Sequence, residues 1–322
     1  MTTNKWLANY YKLNNSFQKK LVFRLGVDSG FFSEYNNMVL AMLYCLKHQI
    51  KFELYSGHTH FTLHDGWNDF FLPFGNPNTQ LINKDYNLRP YIIEQSREAP
   101  LKKAVKYRFI TAAYKTLFGI GYLTQDLWAQ HRDPAFAQET FTVPALKMQN
   151  MPLLSATQQL IRALWQYNEQ SALIVARLVS SAKLPTTDYV SIHVRAGDKF
   201  TEVKAAGFGQ YMDLAARFSN NQTAFVMTDD YTVVEQLRLQ YPAWKFYTLC
   251  EPTERGYFHR DFVRQDKAYK YHHHLRLFAE LDIAAASAKF IGTYSSNVGM
   301  FVGMRKGEEQ CACVDFERWL IW

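Results

Sequence analysis

Short apolar runs alternate with helical patterns in two separate stretches of this sequence, and this rhythm limits the fold more than any other feature. In the first stretch, the apolar run 21–27 is followed by Gly30, by a helical pattern from Met38 to Leu46, and by the alternating run 50–55. In the second stretch, short apolar runs recur at residues 189–194, 224–227, 244–248 and 289–291. A strand, a glycine-containing turn, a helix and a second strand are typical of parallel pairing in an α/β fold.

The interval between the two stretches contains helical spacing, most clearly over residues 155–178. With 322 residues, 48% of them hydrophobic, the chain is long enough to build two cores. We therefore predict two domains, residues 1–180 and residues 181–322. Each is expected to be Rossmann-like, and the two are expected to face each other across a cleft.

The formal net charge of +7 favours an anionic partner, because basic surface attracts phosphate groups over long range. The basic residues are spread along the chain, however, and no helix-turn-helix, zinc-finger or RNA-binding signature is present. We do not expect nucleic acid to be that partner.

Four cysteines are too few and too unevenly spaced for a disulfide scaffold, so reduced thiols are expected. The first 19 residues contain no apolar core of the signal-peptide type, and the longest apolar run, 38–46, is too short to span a bilayer. If Met1 is the natural start, a cytoplasmic protein without a transmembrane segment is the expectation.

The segment SIHVRAGDKFTE, residues 191–202, has the most informative chemistry. An apolar strand ends there, and His193, Arg195, Asp198, Lys199 and Glu202 follow within ten residues. Ligands of open parallel sheets bind outside the carboxyl ends of the strands. A guanidinium at that place would stabilise a departing diphosphate. The alternative is a simple ion pair between Arg195 and Asp198 at the strand end.

A second strand end, AFVMTDD, brings two adjacent carboxylates, Asp229 and Asp230. They could bind magnesium beside a nucleotide. They could instead cap the following helix, together with Thr228, and this interpretation is favoured. A metal motif usually has its carboxylates one residue apart, so no metal is expected.

Residues 281–298, LDIAAASAKFIGTYSSNV, place Asp282 inside an apolar helical run. A carboxylate there needs donors, and N1 and N2 of guanine are a matching pair. An exposed Asp282 on a polar stripe is the alternative. Ser295 and Ser296 could open a phosphate-binding helix start, or Ser296 could be an ordinary N-cap.

The histidines of HTHFTLH and of the run 272–274 lack a recognised metal-ligand spacing. They are expected to lie at the solvated surface or to form hydrogen bonds on the acceptor side. The aromatic stretch 57–95, with Trp67, could face a substrate or form an irregular hydrophobic layer.

HVRAGDK followed by TE, then TDD, then LDI with TYSSNV, resembles the alpha-1,6-fucosyltransferases of glycosyltransferase family 23. That family belongs to a wider set with the protein O-fucosyltransferases and the alpha-1,2-fucosyltransferases. In the amino half, GVDSGFFSEYNN and DGWNDFF are similar in a looser way to the glycine-containing turn and the GGW segment of these enzymes.

The resemblance implies a glycosyltransferase B fold, with an acceptor-side domain 1–180 and a GDP-sugar-binding domain 181–322. It implies a metal-independent, inverting transfer of fucose from GDP-fucose to a glycan, in alpha-1,6 linkage and without a cofactor. The catalytic residues assigned on this basis are Arg195, Lys199 and Glu202, with Glu202 as the base if one residue is deleted after Lys199. The donor-binding residues are His193, Arg195, Asp198, Asp229, Asp230, Asp282, Ser295, Ser296 and Asn297. Trp67 and His272 are assigned to the acceptor.

The sequence departs from the family pattern at Ala196 and Gly197, where a second arginine and a threonine are usual. Losing an arginine removes a fixed fork of phosphate donors. Two alternatives therefore stay open, a transferase for another nucleotide sugar and a catalytically silent module that binds a nucleotide sugar or a glycan.

Overall fold

A computed structural model describes residues 3–75, 77–97, 101–185, 188–195 and 207–319. The described residues form two compact units, one ending at Gln166 and one beginning at Tyr167. The division lies before the predicted boundary at residue 180, because the helix Glu169–Ser181 packs on the helix Lys267–Ala286 of the second unit. How the two units face each other stays a prediction.

The first unit contains a parallel sheet, an antiparallel strand pair and surrounding helices. Its helices are α1 (Thr3–Ser16), α2 (Phe31–Lys47), α3 (Ile82–Tyr86), α4 (Pro90–Arg97), α5 (Leu101–Phe118), α6 (Thr124–Leu127), α7 (Pro134–Ala137) and α8 (Leu153–Leu164). Its strands are β1 (Lys19–Arg24), β2 (Ile50–Tyr55), β3 (Tyr122–Leu123), β4 (Thr140–Val143) and β5 (Met148–Pro152).

The sheet of the first unit has the order β2-β1-β3, and all its pairings are parallel, as the sequence predicts. Strand β1 ends at Arg24, earlier than the predicted run 21–27. The reason is Gly26, which has a φ of +71° and whose added Cβ would lie 2.5 Å from Cβ of Thr59. The chain turns there and enters α2, which is largely buried and whose buried residues include the polar Glu34, Asn36 and Asn37.

The second unit contains helices α9 (Glu169–Ser181), α10 (Phe208–Phe218), α11 (Tyr231–Gln240), α12 (His259–Arg264), α13 (Lys267–Ala286) and α14 (Asn297–Lys306). Its strands are β6 (Val190–Val194), β7 (Thr223–Thr228), β8 (Lys245–Tyr247), β9 (Lys289–Gly292) and β10 (Cys311–Cys313). The order β10-β9-β6-β7-β8 is parallel throughout.

The chain changes direction across this sheet at β6. After β6 it continues to β7 and β8 on one side, and it then returns to β9 and β10 on the other side. The crevice between the carboxyl ends of β6 and β9 is therefore a topological switch point, where ligands of open α/β sheets bind.

The two faces of β6 have different neighbours. Val190, Ile192 and Val194 join an apolar cluster with residues of α10 and α11. The alternate residues point to the opposite face. Helix α13 covers that face, since the hydroxyl of Tyr189 donates to the carbonyl of Ile283, 2.8 Å away.

Cys45, Cys250, Cys311 and Cys313 are all free thiols, as predicted. Within the part of the chain that the structure describes, no helix has the length and apolar character needed to cross a membrane.

Candidate functional site

His193 lies near the carboxyl end of β6, on the face covered by α13. It is 7% exposed, and its ring stacks on Phe290 of β9 at a centroid distance of 6.3 Å. Burial lowers the pKa of His193 to about 3, and the nearby charge of Arg195 lowers it further. The imidazole is therefore neutral, and its Nδ1 has no hydrogen-bond partner among the described residues. A neutral imidazole nitrogen at this place can exchange a hydrogen bond with a ligand.

Arg195 follows β6 directly and shares the face of His193 because side chains alternate along a strand. The centre of its guanidinium lies 5.3 Å from the ring centre of Tyr257. The structure thus brings a cation to the switch point, as the sequence predicts. The other charged residues of the motif, Asp198, Lys199 and Glu202, lie outside the described residues.

Asp230 is the N-cap of α11. Its Oδ1 accepts the backbone N–H of Thr232 at 2.9 Å and the hydroxyl of Thr232 at 2.8 Å. The favoured interpretation of the TDD strand end as a helix cap is therefore confirmed for Asp230.

Asp229 fixes a loop that follows β8. Its backbone carbonyl accepts the N–H of Gly256 at 2.8 Å, and its Oδ2 accepts the N–H of Tyr257 at 2.9 Å. Both contacts are structural. The described residues also contain no group of three or more histidine, cysteine or acidic side chains arranged to hold a metal ion.

The start of α14, at the end of β9, is organised by Ser296. Its Oγ accepts the N–H of Gly299 at 2.9 Å and donates to the carbonyl of Thr293 at 3.0 Å, and Ser296 is 1% exposed. The hydroxyl is used inside the helix start, so the N-cap alternative is the observed one. Contact of this hydroxyl with a diphosphate stays a prediction from the sequence.

Asp315 holds the same turn from the side of β10. Its carboxylate accepts the N–H groups of Tyr294 at 2.9 Å and Ser295 at 3.0 Å. Burial raises the pKa of Asp315, but hydrogen bonds from Cys313, Ser295 and Tyr294 outweigh it, and the net pKa is lowered. This carboxylate thus holds the turn that leads into α14. The half-buried side chains of Ser295 and Asn297 remain at the surface of the turn.

Asp282 is half-buried near the end of α13. Its Oδ1 lies 2.7 Å from Nη2 of Arg305, and its Oδ2 accepts the hydroxyl of Tyr167 at 3.0 Å. The protein itself thus supplies donors to the carboxylate that the sequence assigns to guanine. Each oxygen still has a second lone pair with which to accept a hydrogen bond from a ligand.

A charged cluster behind Asp229 was missed at the level of sequence. Glu280 is 7% exposed, and Arg276 forms an ion pair with Glu254. Burial raises the pKa of Glu280 to about 8, Arg276 acts in the opposite direction, and Glu254 and Asp229 raise it further. The sequence holds a signal for this cluster, because Glu280 stands within an apolar helical run.

The two acceptor assignments fall in different environments. Trp67 is 3% exposed, stacks on Phe71 at 4.5 Å, and donates its indole N–H to the carbonyl of Leu72. It belongs to the aromatic core of the first unit, as in the hydrophobic-layer alternative, and its assignment to the acceptor stays a prediction from the sequence. His272 is exposed on α13.

No family model matches the chain, and no curated protein matches it in sequence. Solved structures do match. A NodZ alpha-1,6-fucosyltransferase co-crystallized with GDP is 12% identical with a TM-score of 0.50, covering 93% of this chain and 95% of that one. The same enzyme soaked with GDP-fucose is 12% identical with a TM-score of 0.51 and has the same coverage of both chains. Fucosyltransferase NodZ from Bradyrhizobium is 11% identical with a TM-score of 0.52, covering 93% of this chain and 96% of that one.

At this level of identity the likeness establishes the fold. It confirms the prediction of an α/β chain with the glycosyltransferase B fold, which extends over nearly the whole length of the chain.

Proposed function

We propose that this chain is a fucosyltransferase that transfers L-fucose from GDP-fucose to a hydroxyl group of a glycan. The observation that carries the proposal is the position of Arg195 at the switch point of the second unit. The same fold in NodZ is described with GDP and with GDP-fucose. A cation at this point suits a diphosphate leaving group, whose negative charge grows as the sugar departs.

In the proposed reaction, an acceptor hydroxyl attacks the anomeric carbon of fucose while the bond from that carbon to the diphosphate oxygen breaks. The attack comes from the face opposite GDP, so a beta-linked donor gives an alpha-linked product. Arg195 stabilises the departing diphosphate through charge-assisted hydrogen bonds. The hydroxyl proton passes to Glu202, with Asp198 and Lys199 supporting the donor pocket, and these three assignments rest on the sequence motif.

The nucleotide is proposed to lie between the start of α14 and Asp282. Ser295 and Asn297 stand at the first turn of α14, and Arg305, the partner of Asp282, stands in its last turn. Nine residues of α-helix rise by about 14 Å, which is comparable to the extended length of a guanosine diphosphate. Asp282 would then accept hydrogen bonds from guanine N1 and N2, with Arg305 and Tyr167 holding its carboxylate in place.

The contact of His272 with the acceptor, the alpha-1,6 linkage and a cytoplasmic location remain predictions from the sequence. Labelled GDP-fucose, applied with the protein to a glycan array and followed by linkage analysis, tests the function. Transfer of label to a glycan is the expected result. Parallel reactions with UDP- and ADP-linked sugars test the donor, since Ala196 removes a usual phosphate contact. Tight GDP binding without transfer to any glycan would overturn the proposal in favour of a silent binding module.

A further inference from the structure

The guanidinium of Arg195 lies over the aromatic ring of Tyr257. The distance of 5.3 Å to the ring centre of Tyr257 is within the range of cation–π attraction. An aromatic ring attracts a cation that lies over its face, and it accepts no hydrogen bond from the N–H donors in the plane of a guanidinium stacked on it.

The ring of Tyr257 is fixed from several sides. Its hydroxyl lies 3.0 Å from Nδ1 of His259, and its ring packs against Phe262 at 5.3 Å and His273 at 6.0 Å. Burial lowers the pKa of His273 to about 4, and Arg276 lowers it further against the opposing effect of Glu254. His273 is therefore neutral and adds no repulsion to the arginine.

The backbone that carries Tyr257 is tied to the strand end of β7. Asp229 accepts the N–H groups of Gly256 and Tyr257, and the carbonyl of Glu254 accepts the N–H of Tyr231 at 3.1 Å. Gly256 has a φ of +95°, a conformation that glycine adopts without strain. Backbone hydrogen bonds at Glu254, Gly256 and Tyr257 thus hold the part of the loop that carries the ring.

We propose that Tyr257 is a positioning residue for the transfer reaction, and that its ring holds the guanidinium of Arg195 where the departing diphosphate needs it. Asp229 acts indirectly, because it fixes the loop that carries the ring of Tyr257. The inference rests on the proposed function. Its physical basis is preorganisation, since an arginine whose rotamers are already restricted loses less freedom when it meets the ligand.

Three variants test the role through kinetics. Tyr257→Leu removes the ring, and Tyr257→Phe keeps it. Phe218→Leu is the control, because it removes another ring of the second unit whose centre lies 4.5 Å from a different cation, Nζ of Lys289. We expect Tyr257→Leu to lower kcat/KM by about tenfold or more, and Tyr257→Phe and Phe218→Leu to stay within about threefold of wild type. In a protein that already carries Arg195→Ala, Tyr257→Leu should lower kcat/KM no further. An equal loss in both backgrounds would mean that the ring serves the fold alone, and would overturn the proposal.

A second measurement does not depend on activity. The Nε–H resonance of Arg195 should show a ring-current shift in wild type and in Tyr257→Phe, and should lose it in Tyr257→Leu. A resonance that does not respond to Tyr257→Leu overturns the proposal. The ring-current shift could behave as expected while the wild-type protein neither binds GDP nor transfers fucose. In that case the contact between Arg195 and Tyr257 exists, but the proposed function fails, and the positioning role of Tyr257 fails with it.

Discussion

Arg195 is the residue on which the proposed chemistry depends most. Arg195→Ala removes the charge that would oppose the departing diphosphate, a loss worth roughly 3 to 4 kcal/mol in comparable sites, so transfer should fall by about a hundredfold to a thousandfold. Arg195→Lys should recover little, because an ammonium lacks the planar fork of donors. Steady-state transfer with GDP-fucose measures the effect, and circular dichroism reports whether the fold is kept. Near-normal transfer by folded Arg195→Ala would contradict the donor-site assignment.

Asp282 is expected to determine the choice of base. Asp282→Asn keeps the shape but places an N–H donor opposite the donors of guanine, at a cost of about 1 to 3 kcal/mol. Calorimetric titration should show weakened binding of GDP, with binding of ADP and UDP little changed.

Arg305→Gln is the matched control for Asp282, because it breaks the same ion pair and keeps the carboxylate. It should weaken GDP binding less than Asp282→Asn does. If Asp282→Asn binds GDP as tightly as wild type, or if both variants lose the same affinity, then the carboxylate serves Arg305 and Tyr167 and not guanine.

At the scale of elements, the connection from β7 to α11 uses both of its carboxylates for structure. Asp230 caps α11 and Asp229 holds the loop at Gly256 and Tyr257. We expect transfer to persist in excess EDTA, because the charge opposing the diphosphate would come from Arg195. A transfer assay with and without EDTA measures this. Loss of transfer in EDTA, with recovery on adding magnesium or manganese, would make the two aspartates ligands instead.

The start of α14 depends on a close backbone approach. A Cβ at Gly299 would lie 1.9 Å from the carbonyl oxygen of Thr293, so Gly299→Ala must displace the turn after β9. We expect a destabilisation of about 1 to 3 kcal/mol, measured by urea denaturation.

Gly209→Ala in α10 is the matched control for Gly299, because its Cβ would meet nothing closer than the hydroxyl of Tyr241 at 4.0 Å. Alanine is the better helix former, so this variant should gain up to about 1 kcal/mol. If Gly299→Ala and Gly209→Ala changed the free energy of unfolding in the same direction, this would contradict the packing described at Gly299.

Strands that contain an apolar or alternating run could be predicted from the sequence, and strands without such a run could not. The runs 189–194 and 224–227 correspond to Val190–Val194 and Thr223–Thr228. Tyr122–Leu123 and Cys311–Cys313 are too short to produce a period, and they become strands only because a neighbouring strand pairs with them.

At the scale of the whole molecule, the sequence indicated which residues come near the switch point, but not which of them face it. Arg195 follows from its place after an apolar run. The order in which β6 lies between β9 and β7 depends on long-range pairing, which periodicity does not encode. For the same reason the sequence left open whether Trp67 faces a substrate or a hydrophobic layer, and the structure stacks it on Tyr35. The cap at Ser296 is local instead, because its partners Thr293 and Gly299 lie three residues away.

The dependence of folding stability on pH is set by buried groups whose pKa values move in opposite directions. His193 in the second unit and His131 in the first have pKa values lowered to about 3 by burial and by neighbouring arginines. Their contribution to the free energy of unfolding is complete above their unfolded pKa of about 6.5 and is lost as the pH falls below it. Glu280 behaves oppositely, because its pKa is raised to about 8, mainly by burial.

The folded protein keeps a proton on Glu280 that the unfolded chain releases near pH 4.3, so stability should fall as the pH rises from there through about 8. Together the two effects place the maximum of stability near pH 6.5, with a decline toward pH 8.5. Glu280→Gln replaces the buried acid by a neutral side chain of the same shape, and should therefore lose much less stability between pH 6.5 and pH 8.5. Urea denaturation of wild type and Glu280→Gln at both pH values measures this, with the exposed Glu235→Gln as control. An equal decline in wild type and Glu280→Gln would show that Glu280 does not hold its proton in the folded protein.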